Sequence, residues 1–401
     1  MRWLAILGIG EDGVQGLPPT ARALIEDAAL VVGGARHLAL AGALIRGEAM
    51  AWPSPLADAF PAILARRGQP VVVLASGDPY CFGVGATLRN VVPAKETLCI
   101  PAPSAFSLAC ARLGWAAQEV ATISFCGRPM EAVLPLLQPG ARILALSADA
   151  GTPALLAGML RARGFGPSVL HVLQALGGPR EGIDIATAEA GPPAGVDPLN
   201  LVAVEVRAAP GARVIPLSRG LPDAFFENDG QLTKSEVRAA TLSALAPRAG
   251  ELLWDIGAGS GSVGIEWSLC HPANRAIGIE ARPDRAARAA RNALALGVPG
   301  MDIVVGEAPA ALAGLPAPDA VFVGGGAGDA GVLDAAWAAL KSGGRMVANA
   351  VTIETEALLF AAQAARGGTL TRISVDRLDR LGTMHGFRRA MTVTIWAATK
   401  P

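Results

Sequence analysis

Three glycines and two acidic residues form the pattern in this chain that most clearly points to chemistry. Gly257, Gly259 and Gly261 come just after Asp255 in the stretch LLWDIGAGSGSVGIE. Glu280 lies about 20 residues farther on, where nucleotide-binding folds place an acidic side chain against ribose hydroxyls. Glycines let the backbone of such a turn approach a ligand closely. We therefore predict that this segment binds a molecule that contains a nucleoside.

The spacing of the glycines bears on which nucleoside ligand this is. A dinucleotide fingerprint places its last glycine three residues after the second, so that a helix N-terminus faces a pyrophosphate. Here the three glycines alternate with other residues and follow Asp255. A carboxylate repels a pyrophosphate but attracts the ammonium and sulfonium groups of S-adenosylmethionine. The pattern favours S-adenosylmethionine, and an NAD-linked oxidoreductase stays open as the alternative.

Two later segments add candidates to the same site. Glu307 and Ala308 follow the next apolar run, near the expected position of the adenine ring. The run PDAVFVGGGAGD then ends in glycines, where methylases of exocyclic amino groups carry Asn/Asp-Pro-Pro-aromatic. Backbone without side chains leaves room for a broad, flat substrate. Methylation of a nucleic-acid base or an amide is therefore disfavoured.

The composition limits the class of protein. The chain has 401 residues, which predicts two domains, since domains of about 100 to 200 residues are usual. Lys plus Arg and Asp plus Glu are equal at 34 each, which argues against a nucleic-acid partner. No apolar run is long enough to cross a membrane, and the N-terminus does not resemble a signal peptide. We expect a cytoplasmic protein with a small-molecule substrate.

Histidine and cysteine offer no metal site. The four histidines are far apart, without an H-E-x-x-H pairing, and the five cysteines show neither C-x-x-C nor zinc-like spacing. We expect no metal, and scattered cysteines of this kind indicate reduced thiols.

Short apolar runs alternate with amphipathic stretches along almost the whole chain, which predicts an α/β fold. The stretch PGARVIPLSRG has no clear period, so we place a linker at 209–219, between a first domain at 1–208 and a second at 220–401. In the second domain, regular alternation predicts a doubly wound, Rossmann-like parallel sheet with an antiparallel edge. The glycines after LLWDI then mark a strand-to-helix turn, where such sheets bind ligands.

From Gly220 onward the chain resembles the methyltransferases of corrin biosynthesis that methylate C15 and decarboxylate the C12 acetate. The resemblance rests on GLPDAFF, LTKSEVR, WDIGAGSGSVGIE, GEAP, PDAVFVGGG and NAVTIET, in that order. Ser260 stands where that family more often has Thr. An ordered set of six motifs is far more specific than any one glycine loop.

The first domain resembles a different class, the tetrapyrrole methylases that act on precorrins and uroporphyrinogen. Its markers are LGIGEDG, SGDPYCFGVG, PAPSAFSLACARLG, FCGRP and LQALGGPREGI. The resemblance implies two α/β lobes with S-adenosylmethionine between them. It also implies cofactor contacts at a set of positions, namely Gly77, Asp78, Cys81, Ser104 and Ala105. The first loop reads GIGED where the family often has GIGPG, which leaves Glu11 and Asp12 as additional carboxylates.

The two domains in this order are similar to the family of fused precorrin-6B (precorrin-6Y) C5,15-methyltransferases (decarboxylating). That resemblance implies two S-adenosylmethionine sites per chain, methylation at C5 and C15, and loss of carbon dioxide from the C12 acetate to give precorrin-8. The substrate carries many carboxylates, which suit cationic side chains. Our candidates are Lys234 and Arg238 for the second site and Arg128 for the first. We also expect a homo-oligomer. Two further alternatives stay open: a bifunctional S-adenosylmethionine-dependent methyltransferase that acts on another tetrapyrrole, and a non-catalytic adenosyl-binding regulator.

Overall fold

The computed structural model describes residues 2–401, which form two compact units. One unit comprises the chain up to Arg128 together with Leu136–Arg213, and the other comprises Pro129–Pro135 with Val214–Pro401. None of the helices within residues 2–401 is both long and apolar enough to span a membrane. Each unit contains its own sheets and its own cores.

The first lobe of the first unit is a parallel sheet of five strands. The strands are β1 (Leu4–Ile9), β2 (Leu30–Gly33), β3 (Glu48–Ala51), β4 (Val71–Ser76) and β5 (Thr97–Ile100). Their order is β3-β2-β4-β1-β5. Four helices connect them: α1 (Pro19–Glu26), α2 (Ala35–Ala41), α3 (Phe60–Ala65) and α4 (Gly85–Leu88). Leu4 and Ile6 of β1 pack in one apolar cluster and Ala5 and Leu7 in another, because successive side chains face opposite sides of the sheet.

The second lobe of this unit is a mixed sheet, also of five strands. Its strands are β6 (Val120–Ser124), β7 (Arg142–Leu146), β8 (Val169–Gln174), β9 (Gly182–Thr187) and β10 (Asn200–Glu205). The order is β6-β7-β10-β8-β9, and only the β6–β7 pair is parallel. Helices α5 (Ala105–Leu113) and α6 (Thr152–Ala162) accompany this lobe. Antiparallel pairing lets this sheet be formed with short connections.

The second unit is built on a sheet of seven strands. These are β11 (Leu252–Ile256), β12 (Arg275–Glu280), β13 (Asp302–Val305), β14 (Ala320–Val323), β15 (Arg345–Ala350), β16 (Thr369–Ile373) and β19 (Val393–Thr399). The order is β13-β12-β11-β14-β15-β19-β16. Its helices are α7 (Ser235–Leu245), α8 (Ser262–Leu269), α9 (Pro283–Ala295), α10 (Val332–Ala339) and α11 (Ile353–Arg366). The first five strands in this order are parallel, and β19 and β16 form the antiparallel edge.

The predicted α/β class, with two lobes followed by a doubly wound sheet, is confirmed. The strand order reverses between β11 and β14, so a crevice opens at the carboxyl ends of these two strands. The end of the chain has the predicted antiparallel edge and one further element. A separate ribbon, β17 (Asp376–Leu381) with β18 (Met384–Arg389), lies between the two edge strands in sequence. Short 3-10 helices occur at Gly13–Gln15, Gly42–Leu44, Leu56–Ala59, Ala94–Glu96, Ala117–Glu119, Met130–Leu136, Asp223–Phe225 and Ala310–Leu312.

Candidate functional site

A cleft of about 770 Å³ opens at the carboxyl ends of the parallel strands of the second unit. We call it the second-unit cleft. Most of the residues predicted for this site line it, namely Lys234, Asp255, Gly257, Gly259, Glu280, Glu307 and Ala308. Gly324, Gly325 and Gly326, which follow β14, form part of the same wall. The sequence pattern therefore converges on one cavity.

The glycine turn between β11 and α8 depends on close contact with the neighbouring strand end. Gly257 has φ +71° and Gly259 has φ +58°, a left-handed conformation that favours glycine. A Cβ on Gly257 would lie 2.6 Å from the Cα of Gly325. Gly261 is not among the residues that line the cleft, although its neighbours Ser260 and Ser262 are. A Cβ there would lie 3.1 Å from the Cβ of Ala289, so Gly261 lets α8 pack against α9.

Asp255 is buried at the base of this turn. Its Oδ2 accepts a hydrogen bond from the Gly264 backbone N–H at 2.8 Å, in the first turn of α8. Burial raises the pKa of Asp255 to about 7, and the negative charge of Glu280 adds to the rise. A cation in the cleft would favour the ionised form. Asp255 is thus a carboxylate whose charge can respond to the ligand.

Glu280 ends β12 and joins the turn to the next helix. Its Oε2 accepts a hydrogen bond from the Gly259 backbone N–H at 2.8 Å, and its Oε1 accepts one from the Arg282 N–H at 3.0 Å. The side chain is buried but lines the cleft. Carboxylate oxygens have further acceptor capacity, so Glu280 can hold the turn and accept ribose hydroxyls together.

The two cationic candidates of this unit have different surroundings. The Lys234 Nζ lies 3.6 Å from an Asp223 carboxylate oxygen and lines the cleft. Arg238 is fully buried and is not among the residues that line the cleft, so its position does not support the predicted contact with substrate. Its Nε donates to Glu266 Oε1 at 2.5 Å, and its other nitrogens donate to backbone oxygens. It anchors the chain before α7 rather than facing the cleft.

Arg377 is a cleft residue that the sequence did not reveal. It lies on β17, lines the second-unit cleft and donates hydrogen bonds to Glu236. The stretch DRLDRL contains two arginines, and no motif distinguishes Arg377 as the one that reaches the cleft. Only the position of the ribbon brings it to the cavity.

A second cavity, of about 350 Å³, lies between the two lobes of the first unit, and we call it the first-unit cleft. The predicted residues Gly77, Cys81, Ser104 and Ala105 line it. Gly77 has φ +53°, and a Cβ there would lie 2.7 Å from the Pro103 carbonyl oxygen. The loops that follow β4 and β5 thus approach so closely that only glycine fits at Gly77.

The remaining contacts of these residues shape the cavity. Asp78 does not line it, because its Oδ1 accepts the Tyr80 backbone N–H at 2.8 Å and closes the turn after β4. Ser104 caps α5 by accepting the Ser107 N–H at 3.1 Å. Burial and the nearby Asp78 raise the pKa of the Cys81 thiol, which favours its neutral form. Around the turn after β4 and the start of α5, the cavity wall is therefore formed by backbone and small side chains.

Arg128, the cationic candidate of this unit, also lies outside the cavity lining. The central carbon of its guanidinium lies 5.0 Å from the centroid of the Phe82 ring, and Phe82 lines the cleft. Sequence reasoning missed a polar group that does line the cavity, made of Glu11, Arg36, His37 and Ser76. Glu11 was noted as a departure from the family, but its partners are scattered along the sequence.

The five cysteines are free thiols in the structure. Within residues 2–401, no group of three or more His, Cys, Asp or Glu side chains is arranged to hold a metal ion.

Comparison with known proteins gives the same two-part division. The family model of tetrapyrrole (corrin/porphyrin) methylases matches residues 4–189, and that of the precorrin methyltransferase domain matches residues 224–400. A Sinorhizobium protein named precorrin-6Y C(5,15)-methyltransferase [decarboxylating] is 56% identical, covering 99% of this chain and 96% of its own length.

Two shorter proteins match part of the chain. A crystal structure of the C-terminal domain of precorrin-6Y C5,15-methyltransferase from Rhodobacter capsulatus is 48% identical, with 46% of this chain and 100% of that chain covered and a TM-score of 0.44. A Saccharolobus solfataricus protein named probable cobalt-precorrin-6B C(15)-methyltransferase (decarboxylating) is 37% identical, covering 35% of this chain and 73% of its own length.

These matches confirm the resemblance that the sequence motifs indicate. Both family models match in the predicted order, and the Sinorhizobium relative spans nearly the full length of both chains. The chain therefore belongs to the precorrin-6Y C(5,15)-methyltransferase (decarboxylating) family and is an S-adenosylmethionine-dependent C-methyltransferase of cobalamin biosynthesis.

Proposed function

We propose that this chain transfers one methyl group to C5 and one to C15 of precorrin-6B and removes the C12 acetate carboxyl as carbon dioxide, giving precorrin-8. Residues 1–208 carry out the C5 methylation, and residues 220–401 carry out the C15 methylation and the decarboxylation, with 209–219 as the linker. Each domain has its own S-adenosylmethionine site. The observation that carries this proposal is that each unit contains one cleft built around a glycine turn after a parallel strand.

The residues of the second-unit cleft fit S-adenosylmethionine. Gly257 lets the turn after β11 pack directly against the backbone of Gly325, so both strand ends contribute to the cleft wall. Asp255 offers a carboxylate for the cationic methionine end, and Glu280 offers one for the ribose. Glu307 and Ala308 lie along the adenine side of the cavity.

The residues of the first-unit cleft fit the same cofactor in a different way. Gly77 allows the loops that follow β4 and β5 to contact each other, and Ser104 caps α5, which begins at Ala105, at the cavity wall. Asp78 holds the turn that carries Gly77 and Cys81. Backbone groups at such turns suit the uncharged parts of a nucleoside.

The chemistry requires little from the protein beyond placement. The cofactor supplies an electrophilic methyl group, which must lie about 3 to 3.5 Å from the ring carbon and in line with it. The clefts exclude water and orient the two molecules, and Lys234 holds a substrate carboxylate at the second site. During decarboxylation, the bond between the side-chain carbon and its carboxylate breaks, carbon dioxide leaves, and the electron pair passes into the protonated, conjugated pyrrole system of the substrate. A proton then adds to the side-chain carbon and gives a methyl group.

Calorimetric titration of the full chain with S-adenosylmethionine tests the two-site proposal. Wild type should bind two equivalents, and Gly77→Ala and Gly257→Ala should each bind one, because an added Cβ meets backbone atoms in both turns. The matched controls are Gly42→Ala and Gly300→Ala, where a Cβ meets nothing within 4 Å. One equivalent for the wild-type chain would contradict the proposal.

The products distinguish the alternative functions. Mass spectrometry of precorrin-6B treated with the full chain should show two added methyl groups and the loss of carbon dioxide. Tight NAD binding without methyl transfer would indicate an oxidoreductase, and cofactor binding without product would indicate a regulator. A homo-oligomeric state and a cytoplasmic location stay predictions from the sequence.

A further inference from the structure

A cluster of four polar residues lies on the wall of the first-unit cleft, beside the glycine turn. It consists of Glu11, Arg36, His37 and Ser76, and all four line the cavity. The proposed cofactor contacts involve none of them. We call this group the Arg36 cluster.

The topology of the first lobe brings these residues together. Glu11 follows β1, Arg36 and His37 lie in the first turn of α2 after β2, and Ser76 ends β4. In the order β3-β2-β4-β1-β5, the three strands are neighbours. Because parallel strands end at one edge of the sheet, the four side chains meet there.

The contacts fix the orientation of the Arg36 guanidinium. Its Nη1 donates to the Glu11 carboxylate, and its Nη2 donates to Ser76 Oγ at 2.8 Å and lies 3.0 Å from His37 Nε2. Burial and the charge of Arg36 lower the pKa of His37 to about 4, so the ring is neutral at physiological pH. A neutral ring can accept from Arg36 through Nε2. Three acceptors thus surround one cation.

Arg36 is not the residue that joins the two lobes at this edge of the cleft. The lobes are joined at this edge by Arg180, which lies 3.6 Å from Glu11 and also pairs with Asp197. The contacts of Arg36 instead stay within the first lobe. Its side chain is 36% exposed, whereas that of Glu11 is 10% exposed. Arg36 is therefore oriented by its neighbours and still accessible from the cavity.

We propose that Arg36 binds a carboxylate of the tetrapyrrole substrate in the first-unit cleft, and that Glu11, His37 and Ser76 are positioning residues for its guanidinium. This inference rests on the proposed C5 methylation by this unit. A guanidinium has five N–H donors, and the contacts above use Nη1 and Nη2 only, so Nε is left to donate. Arg36 thus takes the role that the sequence suggested for Arg128.

Steady-state kinetics of the full chain with precorrin-6B test the proposal. For C5 methylation, Arg36→Gln should raise KM by roughly 10- to 100-fold, the effect of losing a charge-assisted hydrogen bond. The kcat should not change, because the lost interaction is uniform binding. Arg36→Lys should be intermediate, since it keeps the charge but loses the planar fork. The matched control is Arg46→Gln, an exposed arginine that pairs with Glu26 and does not line the cleft.

Variants of His37 test the positioning role. His37→Ala should raise the same KM, and His37→Gln, which keeps an acceptor, should restore most of the wild-type value. An unchanged KM in Arg36→Gln would overturn the proposal. So would an equal rise in KM for the C15 methylation, or a parallel loss of S-adenosylmethionine binding. If wild type itself gives no C5-methylated product, the proposed function fails, which separates that failure from a failure of the Arg36 assignment.

Discussion

The Gly259 backbone N–H donates a hydrogen bond to the Glu280 carboxylate, with 2.8 Å between the nitrogen and Oε2. The other oxygen, Oε1, accepts the Arg282 N–H. One side chain therefore connects the glycine turn after β11 with the start of α9. Because the same carboxylate lines the second-unit cleft, its structural contribution and its contribution to binding can be separated by substitution.

Glu280→Ala should weaken S-adenosylmethionine binding at the second-unit cleft by about 1 to 3 kcal/mol, the cost of a lost charge-assisted hydrogen bond. Glu280→Gln should cost less, because the amide oxygen still accepts from Gly259 while the charge is gone. Calorimetry of the full chain measures both, with the first-unit site as an internal reference. Unchanged affinity in Glu280→Ala would mean that Glu280 only starts the helix.

The buried carboxylate of Asp255 should make cofactor binding at the second-unit cleft depend on pH. Its pKa of about 7 in the fold means that it is largely protonated in mild acid and ionised above neutrality. Affinity for the cationic cofactor should therefore rise as pH increases through about 7. Calorimetry between roughly pH 5.5 and 8.5 checks this, and Asp255→Asn should remove the dependence.

The raised pKa of Asp255 also makes the free energy of unfolding depend on pH, and this dependence has the opposite sign to that of cofactor binding. The folded pKa of Asp255 is raised above its ordinary 3.8, so between these values the folded state binds more protons than the unfolded state. The contribution of Asp255 to the free energy of unfolding is therefore full at low pH and declines as pH rises towards about 7. Asp255→Asn keeps an acceptor for the Gly264 N–H and should be more thermally stable than wild type at pH 8. Lower thermal stability of the variant there would contradict the assignment.

In the first unit, the contribution of His37 to stability changes with pH in the opposite direction to that of Asp255. Its pKa is lowered from 6.5 to about 4, so in this range the unfolded state binds more protons. Its contribution to stability is therefore full above about pH 6.5 and is lost as pH falls towards about 4. The difference in melting temperature between wild type and His37→Gln, followed from pH 8 to pH 4, isolates this contribution. A difference that is the same at every pH would show that the ring titrates normally.

Local geometry explains which parts of the second site the sequence revealed. Asp255, Gly257, Gly259 and Glu280 lie within one strand-turn-helix-strand segment, whose geometry brings them to one edge of the sheet. Their positions follow from spacing alone. Arg238 could not be placed in this way, because neither its residue type nor its position in the sequence indicates that it pairs with the buried Glu266 in α8.

The Arg36 cluster illustrates a different limit. Glu11 and Arg36 are 25 residues apart in sequence and meet because β1, β4 and β2 are neighbouring parallel strands whose carboxyl ends share one edge of the sheet. That strand order is not displayed by any periodicity in the sequence. The α/β class could be predicted from alternating runs, whereas contacts across strand ends required the fold itself.

The last prediction concerns which unit performs which reaction. The Asp78 carboxylate closes the turn that carries Gly77 and Cys81 at the first-unit cleft. Asp255 supplies the charge beneath the turn of the second-unit cleft. Neither carboxylate belongs to the other cavity, so single substitutions in the full chain should affect one reaction each.

Asp78→Ala should block methylation at C5, because the turn loses the hydrogen bond that holds it, and should leave carbon dioxide release intact. Asp255→Asn should instead stop C15 methylation and decarboxylation and leave the C5 methylation. Mass spectrometry of products from precorrin-6B distinguishes a product with one added methyl group from one that has also lost carbon dioxide. If Asp78→Ala stops carbon dioxide release while Asp255→Asn does not, the two reactions belong to the opposite units.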